Sequence, residues 1–239
     1  MPKKRVSWSS EAFDYHDVDK YFEFFDLNLR QYYTDLVSDI LRARKIEGKV
    51  LDLGCGFGIL GMRICSLDEY STVIGLEESR TLVRAAEVIT SRHGYNGRIS
   101  LKFWQEDMLP FADGEFDAVV SFMALHKWNN PEKVIREIER ILKKDGIVYI
   151  SDFRRDQPAI SSRLFLQQVR FEMGKEIAGN LKKSFQSAYT AAEIKPILEK
   201  LNLPGYRLEE TKSFVNIISG VPPKGEDSHS IITSDEKTA

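Results

Sequence analysis

Short apolar segments alternate with longer amphipathic segments between positions 49 and 153, and this alternation restricts the fold more than any other feature of the chain. The longer segments carry apolar residues at three- and four-residue spacing, which is typical of helices. Strands joined by such helices form a parallel sheet that is covered on both faces. The sequence therefore predicts a doubly wound, Rossmann-like α/β fold. The predicted strands are 49–53, 71–77, 98–105, 116–122 and 147–153, and the predicted helices between them are 59–67, 79–94 and 131–146.

The segments that flank this alternation predict helical caps. An aromatic-rich pattern with helical spacing begins at Val18, and a second helical region breaks near Gly174 and Gly179. Apolar residues at this spacing bury one face of each helix. We therefore expect an N-terminal helical cap over residues 1–45 and a helical insertion over residues 154–200.

The end of the chain predicts an antiparallel hairpin. Two strand-like segments, 205–211 and 213–220, are separated by too few residues for a parallel crossover, so they must pair as antiparallel neighbours. With the five earlier strands they give a sheet of about seven strands in a domain that covers residues 46–220. The polar, turn-rich residues 221–239 are expected to be a disordered tail.

Composition narrows the class of protein. The net charge of −2 argues against nucleic acid as a partner, and no segment approaches the roughly 20 apolar residues that a membrane helix needs, so no membrane insertion is expected. Two cysteines do not make a disulfide framework. The basic N-terminus, including Arg5, lacks the apolar stretch of a secretory signal. We expect a solvated terminus on a cytoplasmic protein that is a monomer or a homodimer.

A glycine-rich loop follows the first predicted strand and can be aligned in two registers. In "VLDLGCGFGILG", residues 50–61, a start at Gly56 spells the dinucleotide fingerprint G-x-G-x-x-G. That start forces Asp52 and Gly54 into the strand, where the fingerprint has no place for them. A start at Asp52 spells D-x-G-x-G-x-G and puts an acid at the carboxyl edge of the sheet. An acid there suits an amino-bearing ligand and repels a pyrophosphate, so the second register is favoured.

Three segments resemble the class I S-adenosylmethionine-dependent methyltransferases. "VLDLGCGFG" is similar to their motif I, and "VIGLEES" resembles their second strand, whose terminal acid binds the ribose hydroxyls. "WQEDMLPFADGEFDAVVS" resembles the segment in which an acid pairs with the adenine amino group. The stretch "SAYTAAEIKPILEKLNL" looks most like the small-molecule group that includes quinone-biosynthesis C-methyltransferases.

The resemblance implies S-adenosyl-L-methionine as cofactor and assigns residues to it. Glu77 is the implied ribose ligand, Asp107 is the implied adenine ligand, and Cys55 is expected to be a small loop residue whose backbone touches the cofactor. The full implied set is Asp52, Gly54, Cys55, Gly56, Gly58, Glu77, Glu78, Asp107, Met108 and Ser121.

The sequence says less about the residues that bind the methyl acceptor than about those that bind the cofactor. His126 follows the fourth strand, and the resemblance implies that this stretch faces the transferable methyl group, so His126 is the candidate general base. The alternative is that His126 only hydrogen-bonds the cofactor or packs on Trp128. Candidate substrate-binding residues, each with an ordinary packing or solvated alternative, are Tyr15, Tyr21, Tyr33, Trp128 and Arg154. No set of acids or amides suggests a metal site.

Methyl transfer to a small organic acceptor is the function that the resemblance implies. Three rivals stay open, of which methyl transfer to RNA would depend on a basic patch formed by Lys182, Lys183, Arg154 and Arg155. A non-catalytic partner protein could retain the cofactor site without an acceptor site, and an NAD(P)-dependent reductase could use the same loop in its other register.

Overall fold

The computed structural model describes residues 4–8, 18–43, 46, 48–105, 108–203 and 205–222. Within these ranges the chain forms one seven-stranded sheet flanked by helices. The strands are β1 (Lys49–Leu53), β2 (Thr72–Glu77), β3 (Ile99–Phe103), β4 (Phe116–Phe122), β5 (Leu142–Phe153), β6 (Arg207–Glu210) and β7 (Phe214–Ser219). The helices are α1 (Val18–Ala43), α2 (Ile59–Leu67), α3 (Arg80–Arg92), α4 (Pro131–Ile141), α5 (Ala159–Met173), α6 (Lys175–Ser187) and α7 (Ala191–Leu201), with a 3-10 turn at Leu125–Lys127.

The sheet has the order β3-β2-β1-β4-β5-β7-β6 and confirms the predicted fold class. Its first five strands in sequence are parallel, and β7 pairs antiparallel with both β5 and β6. From β1 the strand order runs outward through β2 to β3, and from β4 it runs outward in the opposite direction through β5. The order of the strands therefore reverses between β1 and β4. Doubly wound sheets bind ligands at this switch point, beyond the carboxyl ends of the strands.

Local signals set the helix ends. The Ser79 side chain accepts a hydrogen bond from the Leu82 N–H at 3.3 Å and caps α3, and Gly94 follows the helix at a φ of 82°. Asn130 caps α4 in the same way, and Pro131 stands at its first turn. Ile135, Ile138 and Ile141 on the apolar face of α4 are fully buried, as their spacing requires.

Two predicted boundaries are wrong. The helix predicted over 131–146 ends at Ile141, and β5 begins at Leu142, because Leu142 already pairs with Phe116 of β4 and the extra residues before Ile147 are accommodated as an irregularity in β5. Lys143 is held there by Asp117, with Nζ 2.8 Å from Oδ1. Gly179 does not break a helix; it lies inside α6, and the second break falls at residues 188–190.

The caps pack directly on the sheet. Leu36, Val37 and Ile40 of α1 are buried in the hydrophobic cluster on the α2 side, and Arg63 of α2 lies 2.6 Å from Asp26 of α1. The expected domain boundaries stay a prediction. The tail predicted over 221–239 lies outside the described residues from 223 onward, and Val221 itself is buried. Among the helices that the structure describes, none is both long enough and apolar enough to cross a membrane.

Candidate active site

A cavity of about 530 Å³ lies at the carboxyl edge of β1, β2 and β4. One part of its wall is polar and comes from the ends of these strands and the loops after them. The rest is largely apolar and comes from α1, α6 and the end of β4. This composition, a mostly apolar pocket with a few converging polar groups, is typical of small-molecule sites.

The glycine loop forms the floor of the cavity. The N–H groups of Gly54 and Cys55 both donate to the Leu76 carbonyl, at 2.8 and 3.0 Å, which fixes the loop to β2. Gly54 has a φ of 81°, and a Cβ there would lie 2.3 Å from the Ala124 Cβ. Gly56 also has a positive φ, but a Cβ there would meet no atom within 4 Å. Gly54 therefore lets the loop pack, whereas Gly56 leaves open space.

Two buried acids stand at the ends of β1 and β2. Asp52 and Glu77 are each 1% exposed and both line the cavity. Burial, together with the charge of Glu77, raises the pKa of Asp52 to about 7. Asp52 Oδ2 has no hydrogen-bond partner within the described residues. A buried polar atom in this state is a place for a ligand donor.

Lys127 lies beside these acids, and sequence reasoning missed it. Its Nζ is 3.8 Å from Glu77 Oε1 and 3.6 Å from Glu78 Oε1. Burial disfavours the charge on Lys127, but Glu77 and Glu78 outweigh it, so the pKa of Lys127 is raised. The ammonium group therefore offsets part of the negative charge in the cavity. Lys127 directly follows the candidate base His126 in the sequence, and this position could have identified it as a residue of the site.

Cys55 lines the cavity but is not built as a nucleophile. Its side chain is buried, and a Cβ on Gly75 would lie only 2.7 Å from its Sγ. Burial, followed by the charges of Asp52 and Glu77, raises the pKa of the Cys55 thiol well above its usual range. A thiol needs its ionised form to attack. This agrees with the expectation that Cys55 is a loop residue.

Four other residues of the implied cofactor set lie away from the cavity wall or outside the described residues. Ser121 is buried and donates to the Leu53 carbonyl at 2.7 Å. Gly58 begins α2 at a φ of 77°. Met108 is exposed, and its carbonyl accepts the Trp104 indole N–H at 2.9 Å. Asp107 is not among the described residues, so its role stays a prediction.

His126 is held by a carboxylate that sequence reasoning missed. Its Nδ1 lies 2.9 Å from Asp152 Oδ2, and its backbone N–H donates to the same oxygen at 2.6 Å. The Phe153 N–H donates to Asp152 Oδ1 at 2.7 Å. Because a carboxylate can only accept hydrogen bonds, the contact with Asp152 assigns the proton to Nδ1 of the His126 ring. The lone pair of the ring is then on Nε2. His126 Nε2 is buried and lacks a partner among the described residues, and His126 is one of the residues that line the cavity.

The N-terminal segment 4–8 is docked, which corrects the expectation of a solvated terminus. Arg5 donates from Nε to the Ser187 carbonyl at 2.7 Å and from Nη2 to the His126 carbonyl at 2.9 Å. These two carbonyls offer a fixed geometry to the planar guanidinium, which explains why this basic residue is ordered. The segment brings Trp8 into the cavity wall.

The predicted substrate-binding residues divide into those at the cavity and those elsewhere. Tyr33 lines the cavity, and burial and the charge of Asp52 raise the pKa of its hydroxyl. Tyr21 packs against the same hydrophobic cluster on the α2 side that holds Leu36, Val37 and Ile40. Trp128 lies in the cluster on the opposite face of the sheet. Arg154 pairs with Asp156 at 2.8 Å and with Glu210.

These positions favour the packing or ion-pair alternatives for Tyr21, Trp128 and Arg154, none of which lines the cavity. Tyr15 lies outside the described residues. Helix α6 instead supplies the far wall, through Ile177, Asn180, Leu181 and Ser184. The sequence did not single out these four residues, because the inward residues of α6 have the spacing of any core-facing helix.

Known proteins share this architecture. A family model described as a methyltransferase domain matches residues 45–202. An uncharacterised chloroplastic methyltransferase of Arabidopsis thaliana is 31% identical over 131 residues, which are 54% of this chain and 37% of the relative. The ubiquinone/menaquinone biosynthesis C-methyltransferase UbiE of Geotalea uraniireducens is 26% identical over 119 residues, 49% of this chain and 51% of the relative. The chain thus aligns with about a third to a half of the length of these relatives.

A solved S-adenosylmethionine-dependent methyltransferase from Aquifex aeolicus superposes with a TM-score of 0.62 at 18% identity, covering 87% of this chain and 98% of that one. The fold and the family together define a class I S-adenosylmethionine-dependent methyltransferase. The chain belongs to the family described as a methyltransferase domain. Its place in the cell stays a prediction, since one relative is chloroplastic.

The residues present fit the cofactor of this family. S-adenosyl-L-methionine carries an amino group, a ribose and a sulfonium centre. Asp52 Oδ2 is a buried acceptor with no partner among the residues that the structure describes, Glu77 presents a carboxylate at the end of β2, and Gly56 leaves open space in the loop. The same cavity has an apolar wall for a second molecule.

Proposed function

We propose that this protein transfers a methyl group from S-adenosyl-L-methionine to a small, largely apolar acceptor, with His126 as the general base. The observation that carries the proposal is the His126 Nε2 atom. It is buried, has no partner among the described residues, is oriented by Asp152 and shares one cavity with Asp52 and Glu77.

The polar end of the cavity serves the cofactor. Asp52 accepts from the amino group, Glu77 accepts from the ribose hydroxyls, and the loop at Gly54 and Gly56 lets the backbone approach closely. The Lys127 ammonium beside Glu77 offsets part of the negative charge at this end of the cavity. The bound cofactor supplies an electrophilic methyl group.

The apolar end serves the acceptor. Phe25, Leu29 and Tyr33 of α1 line the cavity together with Ile177 and Leu181 of α6. These walls exclude water and hold a flat or apolar body by contact area rather than by charge. Alignment of two reactants in this way lowers a barrier by roughly 7 to 11 kcal/mol in favourable cases.

The His126–Asp152 pair moves the proton. Nδ1–H donates to Asp152, so Nε2 accepts the proton that the acceptor loses when its nucleophilic atom becomes methylated. The resulting imidazolium is stabilised by the carboxylate that already holds the ring. The pair therefore needs no rearrangement during proton transfer.

The test begins with calorimetric titration of the full chain with S-adenosyl-L-methionine, S-adenosyl-L-homocysteine and NADH. We expect binding of the two sulfur nucleosides and none of NADH. A radiolabelled methyl group then reports transfer to a panel of phenols, quinones, amines and acids. Binding of NADH alone would overturn the cofactor assignment, and cofactor binding without transfer to any acceptor would favour the non-catalytic partner protein.

The base is tested with His126→Ala. We expect kcat to fall by about 100-fold or more while the affinity for the cofactor changes little. The matched control is His93→Ala, since His93 is exposed after α3. Loss of cofactor affinity with unchanged turnover would make His126 a binding residue.

A further inference from the structure

We infer that Trp8 and His126 form a two-point recognition site for a hydroxyl group, so that the acceptor is a flat apolar molecule with a free hydroxyl. The inference rests on the proposed function, because it names the acceptor class of that same cavity. It assigns a specificity role to Trp8.

Two buried polar atoms on neighbouring rings carry this inference. Trp8 Nε1 and His126 Nε2 are both buried, and neither has a hydrogen-bond partner in the part of the chain that the structure describes. The rings are edge to face, with centroids 5.1 Å apart and planes at 80°. Both residues line the cavity at the carboxyl edge of the sheet. Leaving two such atoms unpaired is costly, so a ligand group that pairs with both gains affinity.

The chemistry of the two atoms selects the ligand group. The indole N–H can only donate, and His126 Nε2 accepts because Nδ1 carries the proton toward Asp152. The matching group must accept one hydrogen bond and donate another from the same small region. A hydroxyl does both. An ether or a carboxylate only accepts, and an ammonium ion only donates.

The surrounding wall sets the rest of the molecule. Phe25, Tyr33 and Phe122 place aromatic rings around the cavity, and Leu29 and Leu181 add aliphatic surface. Among the described residues of this wall, the charged groups lie at the cofactor end, as Asp52, Glu77, Glu78 and Lys127. A neutral, flat body such as a phenol ring therefore fits the acceptor end.

Trp8 is positioned by Arg5. The Arg5 guanidinium lies 4.0 Å over the Tyr189 ring and donates to the carbonyls of Ser187 and His126. The Val6 N–H adds a bond to the Gln186 carbonyl at 3.2 Å. Arg5 thus ties segment 4–8 to the backbone of the same histidine that completes the recognition site, and it is a positioning residue.

The test uses phenol as a probe and the Trp8 indole N–H as the reporter. Full-length protein labelled with ¹⁵N-tryptophan is saturated with S-adenosyl-L-homocysteine and titrated with millimolar phenol, anisole and benzene. The Trp8 signal is identified among the three tryptophans by its loss in Trp8→Phe. We expect phenol to shift the Trp8 signal downfield and to bind about tenfold more tightly than anisole.

Variants separate recognition from packing. Trp8→Phe retains a ring but removes the N–H, so we expect the preference for phenol over anisole, measured by calorimetry, to fall to about threefold or less. Arg5→Ala should reduce the preference similarly by releasing the segment. Lys4→Ala, an exposed neighbour, is the matched control and should keep the preference. Thermal unfolding and S-adenosyl-L-homocysteine affinity confirm that each variant is folded.

The outcomes distinguish this inference from the proposed function. Phenol binding with a preference that depends on Trp8 supports the inference. No phenol-specific shift, or equal affinities for phenol and anisole, overturns it even if the cofactor binds normally. If the sulfur nucleosides fail to bind, the proposed function fails by itself, while the same titration without nucleoside still measures the hydroxyl preference.

Discussion

The backbone N–H of Gly56 donates to Oε2 of Glu77 at 3.1 Å, while Oε1 of the same carboxylate accepts from the Ser79 N–H at 3.1 Å. The acid that ends β2 therefore fastens both the glycine loop after β1 and the first turn of α3. Any ligand hydroxyl that binds Glu77 meets a carboxylate whose position is already fixed.

Substitution of Glu77 should weaken cofactor binding strongly. Glu77→Gln keeps the size but removes the charge and one of the two acceptor oxygens, so either the loop or the ligand loses a bond. A charge-assisted hydrogen bond contributes about 1.5–3 kcal/mol, which corresponds to a loss of roughly 10- to 100-fold in affinity for S-adenosyl-L-homocysteine. Calorimetry measures it, and Glu87→Gln, on the exposed face of α3, serves as the control. Equal affinities for both variants would contradict the assignment.

Cofactor affinity should rise with pH through neutrality. Burial and the charge of Glu77 raise the pKa of Asp52 to about 7, so the carboxyl is mainly protonated below pH 7 in the free protein. An amino group favours the ionised form, and binding below pH 7 must therefore release a proton. Calorimetry in two buffers with different ionisation enthalpies measures the released proton.

The same experiment has two controls. Asp52→Asn cannot ionise, so its affinity should be independent of pH between 6 and 7.5. Methylthioadenosine lacks the amino acid portion of the cofactor and should show no proton release with the unmodified protein. Proton release on binding this nucleoside would mean that Asp52 responds to the adenosine instead.

Two loop glycines should differ in what their replacement costs. Gly54→Ala combines a left-handed φ with a collision against Ala124, whereas Gly56→Ala brings only the φ cost of roughly 1–2 kcal/mol. The free energy of unfolding in urea should therefore fall more for Gly54→Ala. Gly97→Ala is the control, because Gly97 has open space and its φ lies outside the left-handed range. A larger loss for Gly56→Ala would show that the loop packs differently.

Neither cysteine should react in the native protein. Burial raises the pKa of Cys65 to about 11, against the opposing charge of Arg98, and raises the pKa of Cys55 still more clearly. At pH 8 both thiols are then neutral, and iodoacetamide should alkylate them only after denaturation. Intact mass spectrometry counts the additions, with glutathione as the reactive control. Rapid labelling of Cys55 would restore it as a candidate nucleophile.

Features that depend on neighbouring residues were predictable from the sequence. The strand at 49–53, the glycine loop and the cap at Ser79 all follow from short patterns, and the parallel sheet then brings Asp52 and Glu77 to one edge. The start of β5 at Leu142 was not predictable, because "LKKDG" has no apolar alternation and pairs with β4 through a register shift.

Features that depend on distant residues were missed. Asp152 ends β5, and only the pairing of β4 with β5 brings it to His126. Arg5 and His126 are 121 positions apart, and their contact has no local signature. Trp128 and Arg154 were predicted from their closeness in sequence to the site, but the chain turns their side chains toward the sheet core and toward Asp156.

The position of β7 has a consequence for how the protein is made. This strand inserts between β5 and β6, and it pairs with β5 from Val148 to Phe153. During synthesis the edge of β5 stays open until Ser219 has left the ribosome, although the strands that bear Asp52, Glu77 and Asp152 emerged much earlier. Ribosome-bound chains shortened before β7 would therefore expose an unpaired strand edge, and a chaperone that shields such edges would act on them.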